Sequence, residues 1–276
     1  AVLKNKGEAG ISLANNVPYG YKKDENDKTK WLVDEESAEV VKEIFNLFIK
    51  GHGTCEIAKI LRERKILTPQ SVQQDLDALG QYKTADVDRL IRRYVKEQAD
   101  AAPLREHILT EQQFHRIYYY VNLQQIKDVA ARMTFIHNNL LFTDWWHTDQ
   151  IIRYVAALDF EMAIGYAQEY IHSDDPFIRR WGYVMFISRL GHGHAERLLP
   201  LMKADDHYYV QMAQAWLIAE LTIFEPKVVH RWMKSCGLPY SICGKAIQKI
   251  CDSYRISDDW KVKFKALRPE LKAAPI

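Results

Sequence analysis

Residues 144–149 read DWWHTD, two tryptophans side by side within a run that begins and ends with aspartate. Neighbours on a helix point about 100° apart, so Trp145 and Trp146 do not both enter one core. Residues four apart share a face, which brings Trp145 and Asp149 together with Thr148 beside them. Such a pair offers a negative charge held next to an aromatic surface. Two readings stand at this point: the edge of a core with a capped helix, or a site.

The elements that must position this pair show themselves as an internal repeat. DWWHTDQIIRYV from Asp144, DPFIRRWGYVMF from Asp175 and DHYYVQMAQAWL from Asp206 superpose at one constant spacing, each opened by an aspartate. Under this alignment Trp146, Phe177 and Tyr208 are equivalent, which makes Trp146 the packing residue and frees Trp145. Ile151, Gly182 and Ala213 form a small-or-apolar packing column, and Asp149, Arg180 and Gln211 share one polar position. Looser copies lie at LPYSICGKAIQKI and around QQFHRIYYYV. One helical hairpin per unit describes an all-α solenoid of the HEAT type, in which equivalent residues line one surface.

Upstream the pattern is less regular. The stretch from Ala1 to about Lys30 is polar and turn-rich, as a loop or short hairpin would be. The acidic start DEES then leads a helix whose apolar face is Ala38, Val41, Phe45 and Phe48, ended by Gly51-His52-Gly53. Thr54 caps a second helix carrying Ile57, Ile60 and Leu61, which stops before Thr68-Pro69. Two short helices joined by a glycine turn resemble a helix-turn-helix unit, a pattern shared with many helical hairpins. QSVQQDLDALGQYKT is polar and reads as a linker. The expected organisation is therefore a helical segment at 1–70, a linker at 71–84 and a solenoid at 85–276.

Composition sets the outer bounds. The chain has 276 residues, 47% of them hydrophobic, enough for a sizeable core in one or two domains. A net charge of only +2 means that any nucleic-acid surface depends on how charges are placed. No apolar run approaches the roughly 20 residues of a membrane span, and AVLKNKGEAG has no signal-peptide core, so a cytoplasmic protein is expected. An alanine at position 1 points to a trimmed chain or a fragment. Cys55, Cys236, Cys243 and Cys251 form no CxxC pair and read as buried thiols. His192-Gly193-His194 has no third ligand at metal spacing and reads as a loop. Tyr118, Tyr119 and Tyr120 read as helix packing, with base stacking as the remoter option.

The second half, about residues 100–270, resembles the DNA alkylation repair family of HEAT-repeat glycosylases. The residues that carry the likeness are the DW…TD run, DPFIRRWGYVMF, DDHYYVQMAQAWLIAEL and KAIQKICDSYRIS, in that order. The resemblance implies a tryptophan and an aspartate four residues apart, a repeat-borne arginine and a later tryptophan, which fall on Trp145, Asp149, Arg180 and Trp216. The family's first helices, with a Val-Arg-x-Pro loop, have no counterpart here. Segment 1–70 instead resembles the recombinase domain of large serine recombinases, through Pro18-Tyr19-Gly20-Tyr21, Trp31-x-Val33-Asp34, Gly51-x-Gly53, Ile57-Ala58 and Thr68-Pro69. That family's catalytic and cysteine-bearing segments have no match, so this stretch implies a DNA-contacting accessory and a fusion of two origins.

The main resemblance implies a monomeric, metal-free and cofactor-free N-glycosylase acting on double-stranded DNA, with no membrane partner. Its substrates would be cationic alkylpurines such as 3-methyladenine and 7-methylguanine. A purine alkylated at N3 or N7 already carries positive charge, so its glycosidic bond breaks through an oxocarbenium-like sugar without protonation of the base. What the enzyme then supplies is negative charge near the sugar, an oriented water and walls that hold the backbone. Asp149 would give the charge, Trp145 and Trp216 the walls, at ~0.5–2 kcal/mol each beside a cationic centre. Arg180 would clamp a phosphate, with Arg179, Lys245, Lys249 and Arg255 as further contacts. The plainer alternatives are a solvated or capping Asp149, tryptophans that only pack, an Arg180 that pairs with Asp149, and solvated surface cations. They describe a non-catalytic DNA-binding or scaffold solenoid, or an inactive mobile-element fusion.

Overall fold

The computed structural model describes residues 17–273 apart from 25, 26, 28, 29 and 64. Much of the turn-rich reading of segment 1–30 falls on residues 1–16, outside the described ones. The fold is all-α, and a single two-stranded antiparallel hairpin is the only sheet among the described residues. The chain divides into two compact units, residues 1–125 and 126–276.

Unit 1 begins with the hairpin, β1 (Tyr21–Lys23) and β2 (Trp31–Val33), in the register Tyr21↔Val33, Lys22↔Leu32 and Lys23↔Trp31. Helices follow at α1 (Glu35–Ile49), α2 (Thr54–Glu63), α3 (Pro69–Ala78), α4 (Thr84–Lys96) and α5 (Gln112–Gln125). The α1–α2 corner is closed by Gly51 at φ +92, a left-handed conformation that glycine adopts without strain. Val40 and Leu47 of α1 pack with Ile57 and Leu61 of α2. Phe45 and Phe48, placed on the core face by their spacing, are instead each 61% exposed. They line an open groove of about 980 Å³.

The stretch read as a linker also folds. Thr68 sits at the N-cap of α3, its Oγ1 accepting from the Ser71 amide at 3.1 Å, and Pro69 begins the helix. Val72 and Leu76 are fully buried. A polar surface hid a helix whose two inward residues, four apart, are all it contributes to the core. In α5 the consecutive Tyr118, Tyr119 and Tyr120 are all buried, which leaves none of them open to stack on a base.

Unit 2 contains α6 (Val129–His137), α7 (Trp145–Asp149), α8 (Ile152–Val155), α9 (Phe160–Tyr170), α10 (Pro176–Val184), α11 (Ala195–Leu198), α12 (Tyr208–Phe224), α13 (Pro226–Met233), α14 (Tyr240–Asp252), α15 (Asp258–Ala266) and α16 (Arg268–Ala273). In one layer α7, α10, α12 and α14 pack each against the next. α9, α13 and α15 back the same layer, against α10, α12 and α14 respectively. Aspartates punctuate the stack: Asp144 and Asp175, which open the first two repeat copies, each accept an amide at a helix start, and so does Asp159 outside the aligned copies. The third copy starts one residue late, with His207 at the N-cap of α12 and Asp205 rather than Asp206 accepting the His207 amide at 2.9 Å.

The packing column of the repeat is buried throughout, at Ile151, Gly182 and Ala213. Gly182 is tightest. A Cβ there would meet Ile171 Cγ2 at 2.9 Å and Tyr170 Cβ at 3.2 Å, so the close approach of α10 to the end of α9 requires glycine.

Candidate functional site

The five residues of α7 form one turn, and their side chains divide as helical geometry demands. Trp145 is 44% exposed, while Trp146 is half-buried with its ring 4.1 Å from that of His147. His147 is buried and its Nδ1 accepts the Thr143 amide at 3.1 Å. Desolvation pushes its pKa down to about 4, so it adds no charge next to Asp149 near neutral pH. Thr148 is fully buried and donates to the Trp145 carbonyl at 2.8 Å.

One repeat on, Arg180 of α10 reaches back to this turn. Its Nη2 donates to Asp149 Oδ1 at 2.7 Å, its Nε to Thr148 Oγ1 at 3.1 Å, and its Nη1 to the Tyr209 carbonyl at 2.7 Å. The Arg180 side chain is 4% exposed and that of Asp149 19%. All three guanidinium nitrogens thus point into protein. This geometry engages every guanidinium nitrogen within the protein, so Arg180 as found holds Asp149 rather than standing free for a phosphate. The pairing with Asp149 that its repeat position suggested is the one found. These bonds use Oδ1 of Asp149, and Oδ2 takes part in none of them.

The carboxylate opens onto a cleft of about 290 Å³ lined by Trp145, Asp149, Arg180, Tyr208, Tyr209, Met212, Trp216 and Lys249. Trp145, Asp149, Arg180 and Trp216 therefore converge. Tyr208, Met212 and Trp216 lie at four-residue intervals along α12, one aromatic–thioether–aromatic stripe across the cleft. The repeat alignment had made Tyr208 a packing residue equivalent to Trp146. It is 57% exposed instead, because α12 begins at this residue and its first turn overhangs the cleft. The stripe itself was visible as spacing in the sequence. Tyr209, which bonds Arg180 through its backbone carbonyl, left no side-chain signal.

A second cleft of about 340 Å³ adjoins the first and shares Trp216 and Lys249 with it. Among the described residues no hydrogen bond or ion pair occupies the Lys249 ammonium, which leaves it a free cation between the two clefts. Arg255 lines the second cleft, paired with Glu220 at 3.2 Å and lying 5.6 Å from the Phe224 ring centroid. Lys245 is drawn to Gln211 Oε1 at 3.2 Å and the Ser241 carbonyl at 3.0 Å, which extends the polar column of the repeat by one more helix.

Arg179, expected at phosphate, does not join the cleft. It forms a fork with Asp205 at 2.7 and 3.2 Å and also donates to the Ser173 and Asp174 carbonyls, with a side chain 19% exposed. That geometry ties two inter-helical turns together and engages all three guanidinium nitrogens within the protein. His192 and His194 diverge, one stacked on Phe224 and the other on Phe160. Among the described residues no group of three or more His, Cys, Asp or Glu is placed to hold a metal. No described helix is long and apolar enough to cross a membrane.

A family model described as DNA alkylation repair enzyme matches residues 63–250. The chain belongs to the DNA alkylation repair family. The match spans every residue that lines the first cleft and begins well ahead of position 100, where the resemblance read from motifs began. It therefore takes in α3, α4 and α5 of unit 1 as family sequence. It does not reach the hairpin or α1, and the likeness of segment 1–70 to serine recombinases has no family match behind it. Membership in the DNA alkylation repair family implies DNA binding. Comparison with curated proteins and with solved structures finds no match.

Proposed function

We propose that this chain is a DNA N-glycosylase that hydrolyses the glycosidic bond of cationic alkylpurines, 3-methyladenine and 7-methylguanine, from a HEAT-type solenoid. The observation that carries the reading is the state of Asp149. Its Oδ1 is fixed by a buried arginine while it stands in an open cleft between Trp145 and Trp216. A carboxylate held at one oxygen keeps its orientation without reorganising as charge develops on the substrate, which is the condition for electrostatic stabilisation of a transition state.

The reaction then runs on the cation's own instability. The C1′–N bond breaks, the bonding pair returns to the purine ring and neutralises it, and positive charge appears on the sugar. Asp149 Oδ2 faces that charge and holds a water that adds to C1′, passing its proton to the carboxylate and on to solvent. Trp145 and Trp216 give the sugar π faces that favour a cation by ~0.5–2 kcal/mol each. Lys249 pairs with a backbone phosphate beside the cleft. Arg180 touches no substrate and acts as a positioning residue through Asp149. The chain works as a cytoplasmic monomer, and the recombinase-like segment at 1–70 adds duplex contact.

The decisive experiment is release of 7-methylguanine from alkylated duplex DNA by the purified full chain. Free base that accumulates with enzyme and falls away in Asp149→Asn supports the reading. No release at large enzyme excess overturns it.

A further inference from the structure

Of the four cysteines read as buried thiols only Cys243 is buried, and it is paired with Cys236. Cys236, half-buried in the connection after α13, and Cys243, buried in the first turns of α14, bring their Sγ atoms to 3.6 Å. The connection between them turns at Gly237, which takes φ +67, and Cys243 Sγ also lies 3.8 Å from the Leu238 carbonyl. No CxxC spacing announced this, because the approach is made by a glycine turn folding back onto a new helix rather than by one helical turn.

The two thiols are not equivalent. The contact from Cys243 draws the Cys236 pKa down to about 7, against the effect of burial. The same contact, and then burial, pushes the Cys243 thiol up. A half-buried sulfur whose thiolate is favoured, 3.6 Å from a buried thiol whose protonated form is favoured, is the arrangement of an attacking and a resolving cysteine. A metal site is the competing use of two adjacent thiols, but among the described residues no third ligand stands with them.

We propose that Cys236 and Cys243 are a redox modification site, oxidised by a peroxide to a reversible intrachain disulfide. The Cys236 thiolate attacks one peroxide oxygen, the O–O bond breaks, and hydroxide leaves, giving Cys236 sulfenic acid. The Cys243 sulfur then attacks the Cys236 sulfur, the S–O bond breaks, and water leaves with the Cys243 proton. In sum two thiols and one hydrogen peroxide give one disulfide and two waters. The sulfurs close to a bond length of about 2.05 Å, a movement that the short segment around Gly237 absorbs. This site is independent of the glycosylase reading and stands or falls separately from it.

Thiol counting on the full chain tests it. Hydrogen peroxide is added at near-stoichiometric levels under native conditions, the remaining thiols are alkylated, and intact mass and peptide maps are recorded. The expected result is loss of two of the four thiols, an intact mass lower by two hydrogens, a peptide linking Cys236 to Cys243, and recovery of every thiol with dithiothreitol. Cys236→Ser, at the half-buried position, abolishes the loss, whereas a Cys55→Ser/Cys251→Ser double variant retains it. The proposal is overturned if no thiols are lost, if the cross-link joins separate chains, or if oxygen is added without a cross-link.

Discussion

The Arg180 guanidinium lies 2.7 Å from Asp149 Oδ1 and is only 4% exposed, so one buried cation governs the one carboxylate of the cleft. A surface pair of this kind would contribute little. Here the arginine also satisfies Thr148 Oγ1 and the Tyr209 carbonyl. Losing either partner leaves a group uncompensated where water is scarce.

Substitutions at the two ends of this pair therefore separate. Asp149→Asn keeps an oxygen for Arg180 and removes the charge, and base release falls by about 10²–10³-fold with a modest loss of stability. Arg180→Met leaves Asp149 without its partner and two further acceptors unfilled. It lowers stability by on the order of 3 kcal/mol and reduces release because the carboxylate is no longer held. Arg180→Lys does not restore release, since one ammonium cannot span three separated acceptors. Chemical denaturation and base release measured on the same preparations distinguish the two positions.

The tryptophans offer an internal control. Trp145 is 44% exposed and Trp181 is fully buried. Trp145→Ala is expected to cost under about 1 kcal/mol of stability while weakening binding of lesion-containing duplex, whereas Trp181→Ala costs about 3–5 kcal/mol from the core. Equal stability losses in the two variants would place Trp145 in packing rather than at the cleft wall.

Lys249 and Arg179 test where the phosphate contacts are. Lys249 is unpaired between the clefts and Arg179 is locked to Asp205. Lys249→Gln should lower duplex affinity and reduce the slope of log K against log salt by about 1. Arg179→Gln should leave that slope unchanged and lower the unfolding midpoint. The reverse pattern in a salt titration would reassign the interface.

Acid sensitivity follows from His147. Its pKa is pushed down to about 4 in the fold against 6.5 as a free side chain. Below pH 6.5 the unfolded chain takes up a proton that the folded chain refuses, so the stability contributed by the neutral ring is full above that value. It is lost as pH falls towards 4, by up to about 3 kcal/mol. His147→Gln should flatten the difference between urea midpoints near neutral pH and near the folded-state pKa, and an unchanged pH profile would remove the ring from the account.

Much of this site was legible because a repeat carries information twice. Its constant period aligned Asp149 with Arg180 before any coordinate was known, and the structure pairs them. Burial at Ile151, Gly182 and Ala213 follows from the same register. What escaped depended on partners that no period records. Phe45 and Phe48 have core spacing and lie in the open, because α1 turns Val40 and Leu47 to α2 instead. The polar stretch after Thr68 folded because an N-cap and a proline start a helix even when its surface is hydrophilic. Arg179 looked like a DNA contact until its fork with Asp205, far along the chain, appeared. Tyr208 looked like packing because a repeat fixes a residue's column but not whether its helix has yet begun.

The glycine at position 182 sits two residues past Arg180 and never enters the cleft. Its missing methyl leaves room for α10 against Ile171 and Tyr170, on the same helix whose Arg180 reaches Asp149. Gly182 thus works as a spacer shim. Thickening it by one carbon, Gly182→Ala, is expected to push α10 away from α9 and so disturb the arginine–aspartate link from outside the cleft.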